Sequence, residues 1–380
     1  MEMNDYLELI KSVIPEFNEE HLKENFQNVG VDSFDLVTIR ILLENYIDKT
    51  IPDNDWMSFR SFYDVIKYCS NSKKQPEFSG KSASPIVYKQ KITIGMPQMS
   101  ICGLSENWLF KSLGNAHWEM LCEGLNTNSK ELKDDIGNRL YATFVRIRFQ
   151  SSQPLYKYNE NEEIKISGAI NRYGNGMYFS DFELVTSQNT LLDANLMTSF
   201  SIRKSVGNEE LVKSQPNVTN NLISRIEKIP DFGNEYRLIK KREQNAITLG
   251  DNVFTLDGNY VFQAEYNINP YYDSNGVGLL YFAAYPVIND ICEARHFNTK
   301  KNARTRWEET YFSLSRDVMY YANCNLSDTV IYQLNHWEIL QNDKLKISSS
   351  LFRKSDNQIM ARLFSIKERR NDKSLQEIYL

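Results

Sequence analysis

Gly103-Leu104-Ser105-Glu106-Asn107-Trp108-Leu109-Phe110 decides the fold. A glycine and a serine precede an acidic residue and then apolar residues. Serine is a favoured helix cap, and acids suit a first helical turn. The spacing predicts a helix from here to about Leu125, with Leu109, Leu113, Trp118 and Leu121 on its buried face. Strand-like alternation follows at Tyr141 to Phe149, at Glu163 to Tyr173 and from Met177 onward. Asn175-Gly176 is a hairpin signal between the last two.

The same order of parts recurs downstream. A strand from Tyr260 to Ile268 leads to Asp273-Ser274-Asn275-Gly276-Val277-Gly278. A helix is then expected through Leu280, Phe282, Tyr285 and Ile288 towards Phe297. Strands return at Asp317 to Ala322, Thr329 to Glu338, Lys344 to Phe352 and Ile359 to Lys367. A long helix wrapped by an antiparallel sheet is the hot-dog arrangement, and two in tandem make a double hot-dog. The polar stretch 204–245 reads as the crossing between the halves.

Upstream, the period is helical. Tyr6, Leu9, Ile10, Val13 and Ile14 form one stripe, ended by Pro15. Phe34, Val37, Ile41 and Tyr46 form a second, on a helix starting at Ser33. Trp56 and Phe59 suggest a third, and Phe62, Val65, Ile66 and Cys69 a fourth. The fold class expected is α+β: an N-terminal four-helix bundle (1–70), a Ser-, Lys- and Gly-rich linker (71–85), a first hot-dog half (86–240) and a second (241–380).

Composition sets limits. With 380 residues, 41% hydrophobic and 24% charged, the chain is ordinary globular material. Net charge is −5 and the cations are scattered, so no nucleic-acid footprint is expected. No apolar run reaches the roughly 18 residues of a membrane span. Five dispersed cysteines give no disulfide framework, and the four histidines lack metal-ligand spacing. A cytoplasmic protein without a bound metal is the expectation.

The N-terminal segment resembles an acyl carrier protein at Gly30, Asp32, Ser33, Asp35 and Leu36, then Glu44, Ile51 and Pro52. The resemblance implies 4′-phosphopantetheine on Ser33, installed by a phosphopantetheinyl transferase. A helix N-terminus suits the phosphodiester. Asp32, Asp35 and Glu44 would offer acidic surface to partner enzymes. The plain alternative is that Ser33 only caps its helix.

The run Gly95-Met96-Pro97-Gln98-Met99, then Gly103 to Leu109, Gly114-Asn115-Ala116-His117-Trp118 and Gly137-Asn138-Arg139-Leu140-Tyr141-Ala142-Thr143-Phe144, is similar to the LnmK-type bifunctional acyltransferase/decarboxylases. Arg316 to Asn323 extends the likeness, which spans roughly residues 90 to 370. It implies that a methylmalonyl (or malonyl) group is taken from coenzyme A, transferred to a carrier and decarboxylated. Propionyl (or acetyl) is thereby loaded for downstream polyketide synthase modules. It also implies an essential tyrosine, and Tyr141 stands at the matching position. Fusion to a carrier departs from that family's pattern.

The chemistry needs charge stabilisation on the thioester oxygen as carbon dioxide leaves. Gly103, Leu104 and Ser105 at the helix start, with the Asn107 side chain, are the candidate donors. Tyr141 is either the transient acyl acceptor or the acid that protonates the enolate. His117 is a candidate acid or base, or a structural residue. A second reading is a hot-dog thioesterase or dehydratase working on carrier-bound chains. There Asp273, with Asn275 and Glu293, takes the acidic role, or simply caps a turn. A third is a non-catalytic module that grips an acyl arm.

Overall fold

Helices open the chain because its first apolar residues repeat every three or four positions. The computed structural model describes residues 3–26, 28–71, 85–101, 103–205, 207–218, 221–256, 258–298 and 306–370. Helix α1 (Met3–Lys11) buries Tyr6, Leu7 and Ile10. A 3-10 turn (Glu19–Lys23) leads to α2 (Ser33–Ile47), α3 (Asp53–Ser58) and α4 (Phe62–Asn71). Helix α2 starts where it does because Asp32 is extended and its carboxylate accepts the amides of Phe34 (2.7 Å) and Asp35 (2.9 Å). It stops at Asp48, whose φ of 53° is left-handed. Tyr6, Ile10, Phe17, Leu43, Phe62 and Val65 share one core. The expected linker falls almost wholly outside the described residues.

Strand β1 (Val87–Thr93) and a short ladder, β2 (Met99–Ser100) with β3 (Gly103–Leu104), precede helix α5 (Glu106–Gly124). Then come β4 (Tyr141–Ser151), β5 (Glu163–Tyr173), β6 (Met177–Thr186) and β7 (Leu191–Arg203). The stretch expected as a plain crossing holds β8 (Leu211–Ser214), β9 (Ser224–Arg225) and α6 (Asp231–Lys240). A hairpin of β10 (Ala246–Leu249) and β11 (Asn252–Thr255) follows, then β12 (Phe262–Asn267), α7 (Pro270–Asp273), α8 (Ala284–Phe297) and α9 (Trp307–Thr310). The chain closes on β13 (Tyr311–Tyr320), β14 (Thr329–Ile339), β15 (Lys344–Arg353) and β16 (Ile359–Arg369).

The main sheet runs β1-β5-β6-β7-β4-β13-β16-β15-β14-β12. Five strands from each half meet at the β4–β13 seam. The inner face wraps both long helices: Leu109, Leu113 and Leu121 of α5 and Ile288 and Cys292 of α8 lie in one core. This is the expected double hot-dog. The outer face is also covered. Val145, Met197 and Met319 pack with Tyr236 and Ile239 of α6 and with Phe34 and Ile41 of α2. Across the seam, buried Arg146 bonds Asp317 (2.9 and 2.6 Å), Glu235 of α6 (2.5 Å) and the Phe232 carbonyl (2.7 Å).

Several boundaries differ from expectation. Helix α8 begins at Ala284, because the Leu280 amide is held by Asn323 (3.1 Å) and that of Tyr281 by the Asp273 carbonyl (2.7 Å). Strand β13 starts at Tyr311, six residues ahead of expectation, and leaves the ladder after Tyr320. Helix α1 ends at Lys11, short of Pro15. Trp118 is only half-buried.

Candidate functional site

The two central strands pair over only part of their length. Their register runs from Gln150 opposite Ser315 to Arg146 opposite Met319. In its ladder with β7, β4 carries one extra residue between Phe144 and Arg146. Such a bulge bends and twists its strand. Beyond it, the start of β4 follows β7, while Tyr320 stays opposite Ala361 of β16. The seam opens into a cavity of about 180 Å³. Thr143, Phe144, Ser201 and Lys213 wall it from the first half, and Leu280, Phe282, Tyr285 and Tyr321 from the second. Tyr236 and Lys240 of α6 close it outside, together with Phe34, the residue after Ser33.

A neighbouring cavity of about 290 Å³ holds Tyr141, Arg139, Trp118 and Tyr281. The two share Ala142, Phe144, Asn275, Leu279 and Phe282 as walls. The rings of Phe144 and Phe282, 4.1 Å apart at their centroids, form the partition. Gly114 admits Phe282 here, since a Cβ at that position would lie 2.2 Å from the ring.

Tyr141 opens β4 and is half-buried. Arg203 donates to its phenol oxygen (3.3 Å), and the guanidiniums of Arg203 and Arg139 lie 5.0 and 5.6 Å from its ring centre. Arg203 is itself held by Asn208 (3.0 Å) and the Val277 carbonyl (2.5 Å). Tyr141 stands opposite Ser201, and Ser201 opposite Lys213. Opposed residues of antiparallel strands share a face, so phenol, hydroxyls and amine form one polar row. Thr143 donates to the Ser199 carbonyl (2.9 Å) and bonds the Ser201 hydroxyl (3.0 Å). Lys213 donates to Thr143 Oγ1 (3.2 Å) and to Ser199 Oγ. Burial pulls the Lys213 amine down to about 7, with the Lys240 charge adding to the effect.

The N-terminal helices dock beside this cavity through charge. Lys240 pairs with Asp32 (3.2 Å) and Lys241 with fully buried Asp35 (2.9 Å). Arg237 and Lys241 donate to the Val13 carbonyl (3.1 and 3.0 Å). Asp53 joins Arg40 (2.5 Å) to the Gln215 amide (2.9 Å) and Ser214. Ile41 lies against Gly174, whose φ is +59°. The acidic surface expected of Asp32, Asp35 and Glu44 is therefore not free. Glu44 is buried, accepting from Arg40 (3.0 Å) and the Ile51 amide (3.0 Å), because it anchors the loop between α2 and α3.

Gly103, Leu104, Ser105 and Asn107 do not meet Tyr141. Leu104, Ser105 and Asn107 line a separate slot of about 610 Å³, walled also by Pro286, Ile291, Trp307 and Phe312. Ser105 caps α5 through the Trp108 amide (3.2 Å), and its own amide is spent on the Gln98 carbonyl (2.8 Å). The Asn107 side-chain oxygen is buried without a hydrogen-bond partner. At Gly103 a Cβ would lie 2.6 Å from the Tyr156 backbone, so close packing asks for glycine. The slot floor is a charge network: Arg316 with Glu106 (2.7 Å) and Asp290 (2.9 Å), and Lys367 with Asp290 (3.1 Å) and Glu293. The start of α8 meets the seam cavity through Tyr285, while the cavity that holds Tyr141 is walled by Leu279, Tyr281 and Phe282 of the loop ahead of that helix.

His117 lines none of these cavities. It is fully buried between Ser180 Oγ and Thr198 Oγ1, 2.7 Å from each, and burial drives its pKa down to about 3. Asp273 accepts from the Tyr266 hydroxyl (2.9 Å) and the Asn269 amide (2.7 Å). The Asn275 side chain accepts the amides of Val277 and Leu279. Asp53, Asp134 and Asp135 gather closely enough for a cation. Asp53 is already neutralised by Arg40, and Asp134 accepts the amides of Ile136 and Asn138.

Sequence reasoning missed Arg203, Lys213, Lys240 and Lys241, and it read Phe34 only as part of the bundle's apolar stripe, whereas Phe34 packs with Ile41 against the outer face of the sheet. The run Lys240-Lys241-Arg242 at the end of an amphipathic stretch was the available signal for the docking pairs.

No known family and no curated protein matches the sequence. Solved structures do match the shape. The 12:0-ACP thioesterase from Umbellularia californica superposes with a TM-score of 0.50 at 10% identity, covering 75% of this chain and 95% of that one. A structure described as an oleoyl thioesterase from Lactobacillus plantarum gives 0.53 at 12% identity, covering 77% and 99%. These likenesses establish the hot-dog fold. Among the described residues, no helix is long and apolar enough to cross a membrane.

Proposed function

We propose that this chain is a carrier-fused enzyme acting on acyl thioesters, in which a phosphopantetheine arm on Ser33 enters by the seam cavity and presents its thioester past the Phe144–Phe282 rings to Tyr141 in the adjoining cavity. The supporting observation is Phe34. The residue next to the expected attachment point is a wall of that cavity, and α2 is pinned there by Asp32–Lys240 and Asp35–Lys241. Residues 1–70 are the carrier, residues 86–240 and 241–380 the two hot-dog halves. Tethering keeps the arm at an effective concentration of roughly millimolar.

The reaction follows the sequence resemblance. The arm thiol takes a methylmalonyl or malonyl group from coenzyme A, forming one C–S bond as the other breaks, and the thiol proton passes to the departing CoA sulfur. Loss of carbon dioxide breaks a C–C bond and leaves its electron pair as an enolate. A proton from the Tyr141 phenol then yields propionyl or acetyl. Arg203, donating to that phenol oxygen, stabilises the negative charge left behind. Apolar walls such as Phe144 and Phe282 exclude water.

Phosphopantetheinylated protein incubated with methylmalonyl-CoA or malonyl-CoA, then weighed intact, tests this. A mass gain equal to propionyl or acetyl supports it; an arm left bare by both substrates overturns it. Hydrolysis is the second reading, because both solved structures named above are described as thioesterases. Free acid released from an acyl-loaded arm would establish that instead.

A further inference from the structure

One group in the seam cavity has no role in the chemistry just given. Among the described residues, Lys213 is an amine without a counter-ion. Two of its three N–H donors are taken, by Thr143 and Ser199. Among the described residues no carboxylate pairs with it. The charge acting on it is that of Lys240, which is itself paired with Asp32. Removing an ammonium from water without a partner costs several kcal/mol. An unpaired amine opening onto a cavity is therefore a functional-site candidate.

The surroundings suit an oxyanion. Thr143 gives its hydroxyl proton to the Ser199 carbonyl, so its oxygen is free to accept from Lys213. Ser201 supplies a further hydroxyl, and Tyr141 stands one strand beyond it. The amine has a spare donor and the hydroxyls fix its position; seven of the other lining residues are aromatic, Lys240 adds a second cation, and the Glu209 carboxylate, which also lines the cavity, accepts from Asn325. We infer that Lys213 is the anion-binding residue of the seam cavity, holding an oxyanion of the thioester ligand: the carboxylate of its acyl group or the phosphodiester of its arm.

This deepens the thioester reading and rests on it. If the acyl carboxylate is the anion, Lys213 distinguishes substrate from product. The contact exists before decarboxylation and vanishes with carbon dioxide, so it contributes to binding and not to the chemical step. The lowered pKa of the empty site adds a signature: anion binding draws a proton onto Lys213 above pH 7.

Calorimetric titration of the full chain, without its arm, with methylmalonyl-CoA and with propionyl-CoA tests the inference in wild type, Lys213→Met and Lys213→Arg. Wild type should prefer methylmalonyl-CoA by about tenfold or more, the size of one charge-assisted hydrogen bond. Lys213→Met should lose that preference and Lys213→Arg keep part of it. If the phosphodiester is the anion, Lys213→Met weakens both esters equally, and titration with free phosphopantetheine shows the same loss. Unchanged affinity for both esters in Lys213→Met overturns the anion site. Removing an unpaired buried charge should not unfold the chain, and a melting curve checks this. Lys213-dependent binding without arm loading would leave the anion site standing and sink the decarboxylase. Normal loading with unchanged affinities in Lys213→Met would do the reverse.

Discussion

The ammonium of Lys241 lies 2.9 Å from the carboxylate of Asp35, joining the C-cap of α6 to the first turn of α2. Asp35 is fully buried, and its pKa is raised, first by burial and then by Asp32, with Lys241 opposing. The two partners should therefore respond unequally to removal. Lys241→Met leaves an uncompensated buried carboxylate and should cost about 3–5 kcal/mol. Asp35→Asn should cost clearly less, because it removes a charge whose burial Lys241 only partly offsets. The double variant should be milder than the sum of the two. Thermal unfolding of the three variants measures the coupling, and hydrogen exchange across α2 reports undocking.

Gly174 and Ile41 make the apolar half of the same interface. A Cβ on Gly174 would lie 2.4 Å from Ile41 Cγ1, and the +59° φ disfavours any L side chain. Gly174→Ala should lose about 1–2 kcal/mol to the backbone alone, with the clash added. Pairing it with Ile41→Ala should relieve the clash but not the backbone strain. A double-mutant cycle on thermal stability separates the two. Full recovery in the pair would mean that the backbone conformation is unimportant.

The two parts of the molecule were unequally legible in the sequence. Helix α2 was readable because its start is local, although the cap is Asp32 and not Ser33, the residue proposed for that role: Asp32 and its two amides are within three residues. Strands β5 and β14 were readable because buried positions alternate along their first halves, and β15 and β16 because short turns bound them. Strand β7 was not, since from Leu196 to Ile202 every residue is buried and alternation disappears. The site suffers for the same reason. The β4–β7–β8 register, which no local pattern records, brings Arg203 to Tyr141 and sets Lys213 two strands away in the same row. Tyr141 itself was singled out through family likeness, not spacing. Gly103 to Asn107 read as a helix tip from local signals, yet which cavity that tip faces depends on how α5 and α8 pack.

His117 gives a pH prediction with a definite sign. Its folded pKa is pushed down to about 3 by burial, while an unfolded histidine titrates near 6.5. Between those values the unfolded chain binds more protons, so stability falls as pH drops from about 6.5 towards 3. His117→Phe should remove that proton from the slope. It should also cost roughly 1–3 kcal/mol at neutral pH for each hydroxyl, Ser180 and Thr198, left without its partner. Denaturant midpoints at pH 5 and 7.5 in both proteins check this. A slope unchanged by the substitution would show that His117 is protonated in the folded chain.

In the proposed reaction Tyr141 and Arg203 act as a pair, the phenol as proton donor and the guanidinium bonded to its oxygen (3.3 Å). Tyr141→Phe removes a hydroxyl from a half-buried site, and Arg203 keeps Asn208 and the Val277 carbonyl as partners. Stability should therefore change by less than about 1 kcal/mol. The proton donor is lost, so arm loading with propionyl should fall by about 10²–10⁴-fold, the usual contribution of a positioned acid. Arg203→Met keeps the phenol but removes the donor to its oxygen and unties the Val277 loop. It should lower both loading rate and substrate affinity. Intact-mass time courses at saturating and limiting methylmalonyl-CoA separate these effects. If Tyr141→Phe accumulates methylmalonyl on the arm, transfer survives and decarboxylation or protonation has failed. If it accumulates nothing, the phenol acts in transfer, as an acyl acceptor on the way to the arm. Loading at the wild-type rate would remove Tyr141 from the reaction.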